Sequence, residues 1–204
     1  MVEKQIVGRG ITDARVIEAM KKVPRHLFLN PAMHHNAYSD NALPIEENQT
    51  ISQPYIVALM TQSLQLTGKE KVLEIGAGSG YQAAILAELC RRVFTIERIP
   101  ALAKKARERL ESLGYTNVAV LTGDGTLGRV EFAPYDRIII TAAAPDIPGG
   151  LLKQLSDNGC LVAPVGGRDF QTLRIIQKEG GELSEHDLIG CAFVPLIGKN
   201  GWKN

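Results

Sequence analysis

Gly76, Gly78 and Gly80 follow the apolar run Val72-Leu73-Glu74-Ile75 at alternate positions and lead into Tyr81 and a helical stretch. Glycine is demanded where a Cβ would hold the backbone away from a ligand or where φ must be positive. This spacing therefore marks a turn that brings bare main chain against a nucleotide-like ligand. Glu97 follows Gly76 by 21 residues, near the ~20-residue offset at which a carboxylate accepts hydrogen bonds from ribose hydroxyls. Alone, it reads equally well as a surface acid at a strand end. Asp124-Gly125 can accept from an adenine amino group or form an ordinary Asp-Gly turn. The dinucleotide pattern G-x-G-x-x-G needs glycine where Tyr81 stands, and Gly68-Lys69-Glu70 does not make the lysine-bearing loop that cradles phosphates. A nucleotide-like ligand without phosphates fits these residues.

Such a site needs strands that end together. From Lys71 onward short β-rich runs alternate with amphipathic stretches, the pattern of βαβ units and a parallel sheet covered by helices. Strands are expected at 71–75, 92–97, 117–121, 136–141 and 160–164, and helices near 80–89, 100–113 and 148–156. Two further β-like runs, 171–177 and 187–194, suit an antiparallel pair at the sheet edge, in an order the sequence leaves open. Ahead of the sheet, Thr12 is placed to cap a helix carrying Val16, Ile17, Met20 and Val23 and ended by Pro24. A polar, irregular segment spans about 30–50, and Gln49-Thr50-Ile51-Ser52-Gln53-Pro54 opens a helix striped with Ile56, Leu59, Met60 and Leu64. The fold class is α/β: a Rossmann-like, doubly wound, mostly parallel sheet with an N-terminal helical extension and a C-terminal antiparallel pair. Residues 1–204 are expected to form one domain, with 1–70 as the extension and 71–204 as the cofactor-binding sheet.

Composition narrows the partners. The 204 residues are 45% hydrophobic, with 23 basic against 22 acidic side chains and a net charge of +1. No basic face is evident to hold a phosphate backbone, so nucleic acid is not an expected partner. The N-terminus lacks the apolar core of a signal peptide, and no apolar stretch approaches the ~20 residues of a membrane helix. No membrane association is expected, and a cytoplasmic monomer is. Cys90, Cys160 and Cys191 form no C-x-x-C pair and read as free, buried thiols. His26, His34 and His35 read as solvated loop residues, and no metal is expected.

The form E-I-G-x-G-x-G resembles the first motif of S-adenosylmethionine-dependent methyltransferases, whose sulfonium cofactor carries no phosphate. Other segments narrow the likeness: Ala37-Tyr38-Ser39-Asp40-Asn41-Ala42-Leu43-Pro44-Ile45, Gln49 to Pro54, Gly123-Asp124-Gly125, Thr141-Ala142-Ala143-Ala144-Pro145-Asp146-Ile147-Pro148, Pro164-Val165-Gly166 and Phe193-Val194-Pro195-Leu196. Together they resemble the protein-L-isoaspartate O-methyltransferase family over nearly the whole chain. The glycine motif is shared by many methyltransferases, whereas T-I-S-Q-P and A-A-A-P-x-I-P are far more specific.

The resemblance implies a class I methyltransferase fold and transfer of a methyl group from S-adenosyl-L-methionine to the free α-carboxylate of L-isoaspartyl residues in damaged proteins and peptides. The ester then closes to a succinimide that reopens partly as aspartate. Ser52 takes the place of the family's active-site serine, with Thr50 and Ile51 beside the cofactor. Gly76, Gly78, Gly80, Glu97, Asp124 and Gly125 line the cofactor pocket, and Ser52 and Val165 meet the peptide. A carboxylate is already ionised at neutral pH and needs no strong base, so orientation is the main task. On local sequence Ser52 also reads as a helix N-cap, and Asp40 either orders the loop over the site or makes a turn. Two features depart from the family: Glu46-Glu47-Asn48 replaces a glycine-bearing turn, placing two acids near an anionic substrate, and Thr126 replaces a bulkier residue. A methyltransferase for a small carboxylate, or a cofactor-binding protein without catalysis, would share the cofactor residues.

Overall fold

The computed structural model describes residues 1–203. The N-terminal turns lead to α1 (Ala14–Lys22), a two-stranded hairpin of β1 (Leu43–Pro44) and β2 (Thr50–Ile51), and α2 (Pro54–Ser63). The sheet follows as β3 (Lys71–Ile75), α3 (Tyr81–Ala87), β4 (Arg92–Glu97), α4 (Pro100–Ser112), β5 (Val118–Thr122), β6 (Tyr135–Ile140), α5 (Gly149–Gln154), β7 (Leu155–Gly166), β8 (Gln171–Glu179) and β9 (Glu182–Cys191). Its order is β5-β4-β3-β6-β7-β8-β9. Pairing is parallel from β5 through β7 and antiparallel from β7 to β9, which settles the order left open for the last strands. Strand order reverses between β3 and β6. In open α/β sheets the crevice beyond the carboxyl ends at such a switch point is where ligands bind.

Buried on both faces, the central strands are almost wholly apolar: Val72, Leu73, Ile75, Val93, Ile96 and Ile138 to Ile140 are essentially inaccessible. Alternation along each strand divides the interior into two cores. Val72, Val93 and Ile139 pack with α3 and the N-terminal extension. Leu73, Ile75, Ile138 and Ile140 pack with Leu151 and Leu155 on the other face.

The extension is knit together, and tied to the turn after α3, by side chains that bond main-chain groups. Arg15 donates to Leu66 O at 2.6 Å and Leu89 O at 3.0 Å, and Gln62 Oε1 accepts from the N–H groups of Thr12 and Asp13. Arg25 is fully buried; its Nε donates to Ala37 O at 2.8 Å, and its guanidinium lies 5.0 Å from the Tyr81 ring centroid. Phe28 packs edge-on against the same ring at 5.4 Å.

Several expected boundaries move. Asp13, not Thr12, caps α1, its carboxylate accepting from Arg15 N and Val16 N. The segment about 30–50 carries a 3₁₀ turn at Pro31–Asn36 and the β1-β2 hairpin. The expected helix at 148–156 ends at Gln154, since Leu155 already pairs with Tyr135 of β6. The last strand starts earlier than expected, at Glu182, and ends at Cys191.

One residue in the central strand breaks the apolar pattern. Glu74 is 0% exposed, and neither carboxylate oxygen has a hydrogen-bond partner, nor does the hydroxyl of Thr95, its register partner on β4. Burial pushes the Glu74 acid up from 4.5 to about 8, opposed by the neighbouring Thr95 hydroxyl and assisted by the Glu97 charge. Between those values the unfolded chain gives up this proton and the native chain keeps it, so the group lowers stability progressively as pH rises. Glu74→Gln is expected to remove that dependence. In urea unfolding, the variant's advantage over the parent should grow by about 1.4 kcal/mol per pH unit between pH 5 and pH 8, and parallel stability curves would refute a neutral Glu74.

Candidate active site

The sheet's carboxyl ends open into a cleft of about 770 Å³, its solvent-filled mouth included, at the switch point where ligands bind in open α/β sheets. Its floor is the turn after β3. Gly76, Gly78 and Gly80 take φ of +100°, +51° and +90°, all in the region that strains an L side chain. At Gly76 space is denied as well, because a Cβ would lie 2.5 Å from the Thr141 hydroxyl oxygen. That hydroxyl, at the end of β6, is 2.9 Å from Ile75 O and 2.7 Å from Gly76 O and donates toward both. Gly80 lies off the cleft wall; a Cβ there would make ordinary contacts with Leu110 and Ala106 at 3.4 and 3.5 Å, so the positive φ of the turn, not space, calls for glycine.

Glu97 closes the adjacent wall and is 6% exposed. Its Oε2 accepts from Gly78 N–H at 2.9 Å and its Oε1 from Ile99 N–H at 3.0 Å. A carboxylate offers about four acceptor sites, so each oxygen keeps capacity for a further donor from the cleft. Arg109 of α4 steadies the same turn by donating to Ser79 O at 2.6 Å.

Gly125 lines the cleft at a point where a Cβ would collide with Ile75. Asp124 lies outside that wall, contrary to the expected pocket position. Its Oδ1 accepts from the N–H and hydroxyl of Thr126, and its Oδ2 from Lys199 N–H at 2.8 Å. Burial works to raise its pKa, but these hydrogen bonds, led by that from Lys199, hold the carboxyl below its ordinary range. The acid therefore caps a 3₁₀ turn and fastens the C-terminal segment. Thr126 completes that junction, since its hydroxyl also accepts from Asn200 N–H.

The remaining walls come from distant parts of the chain. Val194 to Ile197 line the cleft, held over the β6 end by hydrogen bonds from Ala143 N–H to Val194 O and from Leu196 N–H to Ala143 O, both 2.8 Å. Gln49, Thr50, Ile51 and Ser52 supply the opposite side. A second cavity of about 660 Å³ lies beyond them, lined by Asp40, Asn41, Ala42, Gln53, Ile56 and Gly190 to Phe193. Thr50 and Ser52 line both spaces. Ser52 is not the N-cap: that position belongs to Gln53, and no side chain caps α2. Gln53 Nε2 donates instead to Asp40 O at 2.8 Å, while the Asp40 carboxylate pairs with Arg9 at 2.7 Å.

Val165 belongs to neither wall; it pairs with Thr172 on β8 and bridges to Ala144. The acids of the β1-β2 turn are likewise apart from both cavities. Glu46 pairs with Lys105 of α4 at 2.8 Å, and this hydrogen bond holds its carboxyl low. Glu47 and Asn48 take φ of 58° and 55°, the conformation a glycine-bearing turn would adopt without strain. Thr141, Gln82 and Arg98 are wall residues that the sequence reading missed. Thr141 could have been noticed as the hydroxyl ending the apolar run Ile138-Ile139-Ile140.

A family model described as protein-L-isoaspartate(D-aspartate) O-methyltransferase matches residues 1–201. Protein-L-isoaspartate O-methyltransferase 2 of Geotalea uraniireducens is 62% identical over 203 residues, covering 99% of this chain and 94% of that one. The Geobacter metallireducens protein-L-isoaspartate O-methyltransferase is 59% identical with the same coverage. A solved protein-L-isoaspartate O-methyltransferase superimposes with a TM-score of 0.87 at 29% identity, over 98% of this chain and 67% of its own. The chain belongs to the protein-L-isoaspartate(D-aspartate) O-methyltransferase family.

Proposed function

We propose that this enzyme methylates the free α-carboxylate of L-isoaspartyl residues in damaged proteins and peptides, with S-adenosylmethionine as donor. The observation that carries the reading is the shared wall: Thr50 and Ser52 border both the cleft beside the glycine turn and the second cavity. Donor and acceptor bound on its two sides would be one side chain apart. The cleft also fits a cationic adenosyl ligand, because Glu97 is a buried carboxylate with unused acceptor capacity, suited to a diol. Its turn presents bare backbone at Gly76 and Gly78 without a phosphate-binding lysine.

In this reading Gly76, Gly78, Glu97, Gly125, Thr50 and Ile51 hold the cofactor, while Gly80 and Asp124 act through the turns they support. When bound, S-adenosylmethionine supplies an activated methyl group. Ser52 orients the substrate carboxylate by donating its hydroxyl hydrogen, and the unpaired N–H groups in the first turn of α2 assist. The nucleophile is ionised at neutral pH, so no base is needed, and positioning can supply roughly 7–11 kcal/mol. Val165 serves the peptide side indirectly, by fixing the β7 end against Ala144. The same reading has the enzyme acting as a monomer in the cytosol. Three unpaired, buried cysteines support a reducing compartment, and the near-balanced charge supports a protein rather than nucleic-acid substrate.

Labelled S-adenosylmethionine should methylate an isoaspartyl peptide and leave its aspartyl twin unlabelled; labelling of neither, or of both alike, would refute the proposal. Ser52→Ala is expected to lower kcat by about 10- to 100-fold, as for loss of one hydrogen bond made to the reacting group. Thermal stability should hardly change, because Ser52 is not the cap of α2. A variant with full turnover and a lowered melting temperature would reverse that assignment.

Gly76→Val tests the cofactor side. The added side chain would drive into Thr141, so S-adenosylhomocysteine binding measured by calorimetry should fall below detection. Unchanged affinity would place the ligand elsewhere.

A further inference from the structure

Phe170 is a large apolar side chain left 66% exposed, in the short turn between β7 and β8. Its ring is nevertheless seated. It occupies the place of a Cβ on Gly190, its Cζ and Cε2 lying 2.5 and 2.9 Å from where that atom would stand. Gly190 is a wall residue of the second cavity, so the ring stands just outside it. The turn that carries Phe170 is tied to the same wall by Gln171, which is 1% exposed. Gln171 Nε2 donates to Gly167 O at 2.6 Å and Arg168 O at 3.1 Å, and its Oε1 accepts from Phe193 N–H at 2.8 Å. Phe193 is itself part of the wall. The backbone agrees: a Cβ on Gly166 would meet Phe170 O at 2.8 Å. A solvent-facing phenylalanine held this firmly costs apolar exposure, and among the described residues most of its surface stays uncovered.

The cavity beside it joins a polar side, with Asp40, Asn41, Thr50, Ser52 and Gln53, to an apolar one that includes Ile56, Ala192 and Phe193. The polar side suits a carboxylate-bearing residue and its main chain, and the apolar side contains the residues that follow Gly190, against which the ring is seated. We propose that Phe170 is a specificity-determining residue: it receives an apolar side chain flanking the isoaspartyl residue, so that peptides with such a neighbour are preferred. The inference rests on the reading of the second cavity as the isoaspartyl peptide site. It commits to the substrate peptide as occupant because Gly190 makes the ring continuous with that cavity's wall.

The test compares two isoaspartyl peptides, one flanked by leucine on both sides and one by serine, with the full-length enzyme and labelled S-adenosylmethionine. The parent should prefer the leucine peptide by about fivefold in kcat/KM. That lies below the ~10- to 200-fold that one methylene commands in a closed pocket, because the ring stays open to water. Phe170→Ser should abolish the preference through KM of the leucine peptide, and Phe170→Leu should keep most of it. Calorimetric S-adenosylhomocysteine affinity reports whether the variants remain folded at the cofactor cleft. A parent without preference, a preference surviving in Phe170→Ser, or an equal loss on both peptides would overturn the inference while leaving the reaction standing. Failure of the parent to methylate either peptide would overturn the reading beneath it as well.

Discussion

The hydroxyl of Thr141 reaches the carbonyls of Ile75 and Gly76 at 2.9 and 2.7 Å, and it can do so only because Gly76 has no Cβ. This contact sets where the chain leaves the sheet. It draws the end of β3 against the end of β6, the pair between which strand order reverses, and turns the backbone so that Gly78 N–H meets the Glu97 carboxylate. Three strands thus converge on one turn: β3 supplies the bare backbone, β4 the acid and β6 the hydroxyl. Either side chain at a different length, or any side chain at Gly76, would separate them. Both polar side chains in this junction, Thr141 and Glu97, find their partners in the main chain, so neither is left unsatisfied where it is buried.

The N-terminal extension is needed because a parallel sheet alone offers a crevice with one side missing. Side chains bonded to backbone hold it together and to the sheet: Gln62 takes the amides of Thr12 and Asp13, Arg15 reaches the carbonyls of Leu66 and Leu89, and Arg137 of β6 reaches Leu64 O. Such bonds fix the path of the main chain rather than the identity of a partner side chain. Arg25 does the same from inside the protein, donating to Ala37 O while lying over Tyr81, the first residue of α3. One aromatic ring, touched by Phe28 and Arg25 from the extension, therefore links the helix after the glycine turn to the segments that carry the hairpin.

How far the site could be read in sequence depended on the range of the physics. Gly76 and Gly78 were legible because a positive φ and a missing Cβ are local demands with a residue type attached. The offset of Glu97 identified a cleft residue, but its bonds to Gly78 and Ile99 could not be foreseen, since they depend on how β4 ends beside β3. Asp124 fits a ligand-binding acid and a capping acid equally in sequence, and its bonds to Thr126 and Lys199 depend on the return of the C-terminal segment to this point, which no local pattern announces. The wall at Val194 to Ile197 carries no local signal of its position, because it is placed by hydrogen bonds to Ala143, some fifty residues earlier. Sheet order between β7 and β9 was undetermined for the same reason: antiparallel runs joined through Gly180-Gly181 can lie either way round. The Glu74 anomaly, by contrast, was visible as an acid in an apolar run, although its lack of partners was not.

The hairpin shows why so short a strand can divide two cavities. In β2 alternate side chains point to opposite faces, and Ile51, 3% exposed, anchors the strand in the core through its pairing with Leu43. Thr50 and the following Ser52 are then free to border both spaces. The turn before them is costly, with Glu47 and Asn48 both at positive φ, and it is braced where Glu46 meets Lys105 on α4. Because α4 also holds Ser79 through Arg109, the partition and the glycine turn are referenced to one helix. α4 is thus a common point of contact for the partition and the glycine turn, through a surface ion pair on one side and a main-chain hydrogen bond on the other.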